Sequence, residues 1–247
     1  MTSTTRAPAG FDDMRTETLR HVAGLCAAAA ITAPKSGGQL FLRGAAPFIE
    51  TVWLEDRARQ AELAGWMRAR GRERREAIWF RDADLCVRVD GILFIGLRDW
   101  YPPVYDCGAC GYATCAEFLD ATTAQRKLAG QILEFAGPTC NLRDIDLGIA
   151  VGSAAKTASI NNVDCRCQTR VAVAARHLNV IGADVAVALS LSLTHKAEGF
   201  DRQIPAIDFE AASDAEPAAP GLEPRAAPTG ARTGGRHRQA RTKGETS

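Results

Sequence analysis

Cys107-Gly108-Ala109-Cys110-Gly111-Tyr112-Ala113-Thr114-Cys115 is the stretch of sequence around which the rest of the chain is arranged. Three cysteines are separated by two and four residues, and a glycine directly follows each of the first two. Glycine adopts positive φ and permits close backbone approach, so its N–H groups can point at sulfur atoms. A fourth cysteine, Cys140, follows Gly-Pro-Thr after a segment with the pattern of one helix. Four thiolates on a glycine-rich loop and one return loop predict a [4Fe-4S] cluster.

Three other interpretations of these cysteines stay open. A disulfide is disfavoured because the chain shows no pattern of an export signal. Zinc is the stronger rival, since four cysteines also satisfy a tetrahedral structural site. Zinc ribbons, however, pair two cysteine knuckles, and Cys140 has no cysteine two or three residues away. The third alternative is a set of unligated, buried cysteines.

The whole-chain composition sets limits on the class of protein. An apolar fraction of 46% over 247 residues is ample for a core, and a net charge of +1 argues against a dominant electrostatic partner. The apolar run 22–33 is preceded by acidic residues rather than by the basic region of a signal peptide. No stretch reaches the roughly 18 apolar residues of a membrane span. We expect a cytoplasmic protein without a membrane span.

A basic run over residues 68–75 raises the question of nucleic-acid binding. Acidic Glu73 and Glu76 interrupt the arginines, and no stacking aromatics lie beyond Trp66. Such a run is typical of a solvated helix face. We therefore expect no specific nucleic-acid partner.

The order of elements predicts an α+β fold, with helices around a small mixed sheet and the cluster loop as an insertion. We expect a disordered lead over residues 1–14 and a first helix-and-strand half over 15–100. The cluster-binding segment follows over 101–141, and the second half of the same domain covers 142–204. From 205 to 247 the chain is rich in Ala, Pro, Gly, Glu and Arg with few large apolar residues, which predicts a disordered tail.

Residues 106–118, Asp-Cys-Gly-Ala-Cys-Gly-Tyr-Ala-Thr-Cys-Ala-Glu-Phe, resemble the small [4Fe-4S] domain of electron-transport-complex B subunits and of the corrinoid iron–sulfur protein. A longer match over about 31–202 resembles the uncharacterised ferredoxin-domain proteins of bacteria and archaea. The motifs that carry it are Phe-Arg-Asp-Ala at 80–83, Gly-Pro-Thr-Cys at 137–140, Asp-Leu-Gly-Ile-Ala-Val-Gly-Ser-Ala at 146–154 and Lys-Thr-Ala-Ser at 156–159.

This resemblance implies that the cluster ligands are Cys107, Cys110, Cys115 and Cys140, and it implies little about a substrate. Cys165-Arg166-Cys167 departs from the family pattern. We expect these two cysteines in a turn between two helices, with Asp164 capping a helix that begins near Arg166. The alternatives are a second ligand pair and a reactive thiol close to the cluster.

A second resemblance concerns layout. A helix that ends in Ala-Pro-Lys-Ser-Gly-Gly-Gln at 33–39, then a strand and a helix, is similar to nitroreductase-type flavoproteins. That likeness implies FMN as an additional cofactor, although the asparagine usual in their loop is absent here. Fold alone does not determine function.

The sequence leaves three hypotheses about function. The first is one-electron transfer with a redox partner protein, and a homodimer is also open. The second is a reductase in which the cluster passes electrons to a flavin or substrate pocket. Its candidate polar residues are Lys156, Thr157, Ser159, Asn161, Asn162, Asp164 and Arg166. The simpler interpretation of this set is an ordinary helix C-terminus with surface polar groups. The third is a structural zinc site on an interaction module. None of the four histidines has metal or triad spacing, so hydrolase chemistry has no support.

Overall fold

A four-stranded sheet with helices on both faces forms the body of the protein. The computed structural model describes residues 10–37, 47–132, 134–194, 197–200, 204 and 206–209, with the backbone alone over 125–132. In chain order the elements are α1 (Phe11–Thr32), β1 (Ile49–Leu54), α2 (Arg57–Arg74), α3 (Ile78–Arg88), β2 (Gly91–Leu97), α4 (Cys115–Ile132), α5 (Asn141–Ile160), β3 (Asp164–Gln168), α6 (Thr169–His177) and β4 (Val185–Ser192). The predicted α+β class is confirmed.

The strand order is β1-β2-β4-β3, and all three pairs are antiparallel. The sheet of the described residues is therefore antiparallel, whereas a mixed sheet was expected. Strand β2 lies in the middle and is buried along its whole length, which explains its unbroken apolar sequence Gly-Ile-Leu-Phe-Ile-Gly-Leu. Strands β1 and β3 form the two edges.

Alternate residues of β2 enter two separate cores. Leu93, Ile95 and Leu97 pack on one face beneath α1 and α5. Ile92 and Phe94 pack on the other face beneath α2, α3 and α6. Each of these five side chains is at most 1% exposed, and full burial of such a side chain stabilises the fold by about 1.5–3 kcal/mol. The sheet is thus the middle of three layers.

The segment that contains Cys165 and Cys167 is strand β3, so the expected turn and the helix from Arg166 are wrong. Helix α6 begins at Thr169, with Gln168 as its N-cap and no side-chain cap. Cys165 lies opposite Leu191 of β4, and Cys167 lies opposite Leu189. Pairing with a strand more than twenty positions away decides this structure, and local sequence does not show it.

The expected disordered ends differ partly from the structure. Helix α1 begins at Phe11, inside the lead predicted for 1–14, while residues 1–9 lie outside the described residues. At the other end Phe209, within the predicted tail, packs edge-on against Phe80 at 6.2 Å between ring centroids. The guanidinium of Arg75 lies 5.8 Å from the centre of the same Phe209 ring. Residues 210–247 lie outside the described part of the chain.

The arginine run at the end of α2 is paired with acid groups rather than solvated. Arg70 is 5% exposed and its guanidinium contacts Glu73 and Glu134. Arg74 contacts Glu134 as well, and Arg68 lies 2.8 Å from Asp84. Among the described residues, no helix has the length and apolar character needed to cross a bilayer.

Candidate metal centre

The four sequence-predicted cysteines line one pocket, which is formed by the loop before α4 and by the first residues of α4 and α5. Cys107 and Cys110 lie on the loop between β2 and α4, and Cys115 is the first residue of α4. Cys140 is the N-cap residue of α5 and makes no side-chain cap. Cys115 and Cys140 are 8% and 5% exposed, Cys110 is half-buried, and Cys107 is exposed. The pocket is therefore closed at its base and open beside Cys107.

Two glycines shape the loop that carries the first cysteines. Gly108 has φ +71° and Gly111 has φ +89°, a region that residues with a Cβ rarely adopt. The N–H of Gly111 donates to the carbonyl oxygen of Gly108 at 2.9 Å, which closes a tight turn. This N–H, one of those expected to face the cluster, is already used within the loop.

Non-glycine residues in the same loop also have positive φ. Val104 has φ +62° and Asp106 has φ +48°. For a β-branched residue such as Val104 this conformation is an outlier that costs of order 1–3 kcal/mol. Such strain persists where the surrounding structure requires it, and it concentrates at functional sites.

Hydrogen bonds join the loop to the start of α4. The Asp106 carboxylate accepts from the backbone N–H of Cys115 at 2.7 Å. Thr114 Oγ1 accepts from the N–H of Glu117 at 3.2 Å, and the Glu117 carboxylate accepts from the N–H of Thr114 at 3.3 Å. This reciprocal pair is a capping box. The cap holds Cys115 at a defined place in the pocket wall.

The return segment is held to the same loop from the other side. The Asn141 side-chain amide donates to the carbonyl oxygen of Ala109 at 2.7 Å, which connects the first residue of α5 to the cysteine loop. The Thr139 hydroxyl donates to Asp144 at 2.6 Å. Burial raises the pKa of Asp144, while its bond from Thr139 opposes that rise. Cys140 thus sits between two side chains that anchor its backbone.

A buried ion pair supports α5 directly behind Cys140. Arg143 and Asp146 have side chains 3% and 10% exposed, with 2.8 Å between Nη1 and Oδ2. Arg143 Nε donates to the carbonyl oxygen of Tyr101 at 2.7 Å, and its guanidinium lies 4.6 Å from the centre of the Phe48 ring. Ser36 donates to the same Asp146 oxygen at 2.8 Å. This network joins α5, the end of α1 and the start of the cysteine loop, and the sequence did not reveal it.

Aromatic and proline residues surround the four cysteines. Pro102, Pro103 and Phe118 line it, and Phe118 is fully buried. Tyr101 is 44% exposed and does not line the pocket. Tyr112 lines it and packs edge-on against Phe118 at 5.8 Å.

Cys165 and Cys167 lie far from the pocket. The thiol of Cys165 contacts the carbonyl oxygen of Ala155 on α5 at 3.7 Å. Ala155 lies fifteen residues beyond Cys140, so about 22 Å of helix separates the two positions. Burial raises the pKa of both Cys165 and Cys167, so both are protonated thiols near neutral pH. Neither a ligand pair nor a reactive thiolate beside the four cysteines fits this placement.

The polar residues considered for a substrate pocket also lie at the far end of α5. Thr157 donates to the carbonyl oxygen of Ser153, and Asn161 donates to that of Thr157. Asp164 accepts from the N–H of Gly199, and the guanidinium of Arg166 lies 4.8 Å from the centre of the Phe200 ring. Lys156, Ser159 and Asn162 are exposed. These contacts and exposures are typical of a helix end, an edge strand and the surface.

The two remaining cysteines are packing residues. Cys26 and Cys86 are both fully buried. Burial raises the pKa of Cys26 to about 11 and that of Cys86 to about 12. All eight cysteines are unpaired.

In the described residues, no three or more His, Cys, Asp or Glu side chains are placed to hold one metal ion. Four cysteine side chains that line one shared pocket are a donor set for a group with several metal atoms.

Comparisons with known proteins cover this same region. Residues 103–129 match a family whose description proposes an Fe-S cluster, and residues 136–202 match a family described as an uncharacterized protein containing a ferredoxin domain. An uncharacterized protein of Archaeoglobus fulgidus is 35% identical over 190 residues, which cover 77% of this chain and 95% of that protein. No solved structure matches, so the likeness in layout to nitroreductase-type flavoproteins stays a prediction. The two matched segments contain all four pocket cysteines and support an iron–sulfur protein.

Proposed function

Because the chain belongs to the family of uncharacterised proteins that contain a ferredoxin domain, we propose that it is a one-electron redox protein with one [4Fe-4S] cluster. Its ligands are Cys107, Cys110, Cys115 and Cys140. The observation that carries the proposal is that these four side chains, from one loop and two helix starts, line one pocket.

Two of the four cysteines lie at helix N-termini: Cys115 begins α4, and Cys140 is the N-cap residue of α5. When bound, a cluster of this type supplies one-electron transfer at a potential set by net charge, hydrogen bonds to sulfur and exposure. Phe118, Pro102 and Pro103 exclude water from the base of the pocket.

A single zinc ion is the weaker alternative. Tetrahedral zinc with bonds of about 2.3 Å needs four sulfurs within roughly 3.8 Å of one another. Zinc ribbons pair two cysteine knuckles, whereas Cys140 has no second cysteine two or three residues away. A cluster binds each thiolate at a different iron atom and so accepts a wider set of sulfurs.

The reductase alternative has no support from the placement of its candidate residues. Its candidate residues start at Lys156, about 24 Å along α5 from Cys140. Four thiolate ligands also leave no open coordination position for a substrate. We therefore favour electron transfer, and FMN is not part of the proposal.

We place the protein in the cytoplasm, because eight unpaired cysteines suit a reducing compartment. A redox partner protein follows from the proposed activity, and a homodimer stays a prediction.

The test is anaerobic purification and reconstitution, followed by iron and sulfide analysis, absorption spectra and electron paramagnetic resonance of the reduced protein. We expect about four iron and four sulfide per chain and a brown, one-electron reducible chromophore. Serine at Cys107, Cys110, Cys115 or Cys140 should lose the chromophore or leave it unstable in air.

The matched control is the double variant Cys165→Ser, Cys167→Ser, which removes two thiols outside the pocket and should keep the iron content and spectrum. Zinc without iron in the reconstituted protein would overturn the proposal. Loss of half or more of the iron in the double variant would reassign a ligand.

A further inference from the structure

The four pocket cysteines differ in how far water reaches them. Cys115 and Cys140 are buried, with 8% and 5% of their surface exposed. Cys110 is half-buried and packs against the core beneath α1 and α5. Cys107 is exposed, and it lies within six consecutive exposed residues, 104–109. One cysteine of the set is therefore at the open side of the pocket, and the fold covers the other three wholly or in part.

The two buried cysteines are also fixed through their backbone. The carbonyl oxygen of Cys140 accepts from the N–H groups of Arg143 and Asp144 at 2.8 and 3.0 Å, in the first turn of α5. The N–H of Cys115 donates to the Asp106 carboxylate at 2.7 Å. Because each helix start is held in this way, the sulfur atoms of these two residues have little freedom to leave the pocket.

The two cysteines of the loop are held unequally. The N–H of Gly111 donates to the carbonyl oxygen of Gly108 at 2.9 Å, and Cys110 lies inside the turn that this bond closes. Cys107 precedes the turn, and of the described residues it is a member of neither hydrophobic core. Displacement of a thiolate from iron requires that water and protons reach the sulfur atom. Exposure and anchoring thus both identify Cys107 as the ligand that is displaced most easily.

We propose that Cys107 is a releasable ligand: oxidation frees its thiol together with one iron atom, while Cys110, Cys115 and Cys140 keep the rest of the cluster. The inference rests on the proposed function and concerns regulation of the same site by dioxygen or another oxidant. The oxidised protein is a storage form that ferrous iron and a reductant convert back.

The electrons and atoms of this step balance. The four-iron cluster gives one electron to the oxidant and one iron leaves as Fe²⁺, so the three-iron cluster that remains has one positive charge less than the cluster before oxidation. The four sulfides stay bound, and the thiolate of Cys107 takes up a proton from water. One electron from the reductant and one Fe²⁺ reverse the step, and the thiol returns its proton. The pocket is open beside Cys107, so oxidant, metal ion and water share one path to it.

The experiment identifies the freed thiol directly in the full-length reconstituted protein. Ferricyanide is the one-electron oxidant, and a chelator removes the released Fe²⁺. Iodoacetamide is added before oxidation to one sample and after oxidation to another. Acid and denaturant then remove the cluster, N-ethylmaleimide blocks the remaining thiols, and mass spectrometry of peptides locates the two labels.

We expect oxidation to raise the iodoacetamide label at Cys107 about tenfold or more, and to change the label at Cys110, Cys115 and Cys140 by less than about twofold. Cys167 is the internal control, because its thiol is exposed outside the pocket and should be labelled equally in both samples. Ferrous iron and dithiothreitol, added after oxidation, should protect Cys107 from the label again.

Two variants check the assignment by a second route. Cys107→Ser should lose about one iron atom in air, keep about three, and show the electron paramagnetic resonance signal of a three-iron cluster. The matched variant Cys140→Ser, at the buried side of the pocket, should keep less than about one iron atom per chain.

Label that rises first at Cys110, Cys115 or Cys140 overturns the assignment, and so does label at all four cysteines with loss of all the iron. Iron that stays at about four atoms per chain after oxidation overturns the release itself. These results leave the proposed function intact, because iron is present before oxidation. Wild-type protein that reconstitutes without iron overturns the proposed function and this inference with it.

Discussion

Among the residues that are not cysteines, Arg143 is the one that we expect to matter most for the proposed metal centre. Replacing it with methionine leaves Asp146, 7% exposed, without its cation, and an uncompensated buried charge costs about 3–5 kcal/mol. The lost bond to the carbonyl oxygen of Tyr101 also frees the start of the cysteine loop. Urea unfolding should show the loss of stability, and iron should leave the variant faster in the presence of a chelator.

The control for this prediction is Arg98→Met. Arg98 lies 2.9 Å from Glu50 but has a side chain 53% exposed, and an exposed pair contributes about 0–1 kcal/mol. Equal losses in the two variants would show that the network of Arg143 does not support the centre.

From the sequence we could predict the four cysteines, but not the side chains that hold their backbone in place. Thiol spacing is local, so Cys107, Cys110 and Cys115 are visible in one short stretch. Arg143 and Asp146 are three positions apart on a helix, and the same spacing is typical of solvated surface pairs. Only the packing of Phe48 and Ser36 against them decides that they are buried.

At the scale of elements, two glycines in α5 and β2 differ sharply in their surroundings. A Cβ at Gly152 of α5 would have no heavy atom within 4 Å, whereas one at Gly96 of β2 would lie 2.4 Å from Cβ of Ala183 and 2.8 Å from the carbonyl oxygen of Val185. We expect Gly152→Ala to stabilise the protein by about 0.5–1 kcal/mol through helix propensity. Gly96→Ala should destabilise it by about 1–3 kcal/mol through overpacking.

Chemical unfolding of both variants at neutral pH, each with its iron content measured, checks this pair. If a ligand lay against the small residues of α5, as the reductase alternative requires, Gly152→Ala would impair ligand binding or change the absorption spectrum of the protein. If Gly152→Ala destabilised the fold as strongly as Gly96→Ala, the face of α5 that contains Gly152 would be closely packed and not open.

The elements themselves were predictable to different degrees. The apolar run of β2 and the capping box at the start of α4 are local patterns that the sequence itself displays. Strand β3 was missed because Asp-Cys-Arg-Cys-Gln has little apolar alternation and forms a strand only by pairing with β4. An edge strand of five residues gives a sequence pattern too short to separate from a turn.

At the scale of the whole molecule, Phe209 changes where the folded part is expected to end. A chain that stops after Gln203 lacks this ring, which packs on Phe80 and beneath Arg75. We expect that chain to lose about 0.5–1.5 kcal/mol from the aromatic pair, with additional loss from the buried area. A chain that stops after Glu210 should unfold as the full-length protein does and keep its iron.

Thermal unfolding of the two shortened chains beside a Phe209→Ala variant of the full-length chain separates the ring from the rest of the segment. Identical midpoints for the chains ending at Gln203 and Glu210 would restore the boundary near residue 205. Composition alone placed that boundary, because a single aromatic residue in a polar stretch has no periodic pattern to mark it.

The position of β4 in the sheet has a consequence for synthesis of the protein. All four pocket cysteines leave the ribosome before β4, which begins at Val185 and fills the place between β2 and β3. At about 5–20 residues per second, the apolar strand β2 waits several seconds with one edge open, a state prone to aggregation. On the proposed ligand set, iron bound at this stage would fasten α5 above that strand. The supply of iron during translation would then affect how much of the protein folds instead of aggregating.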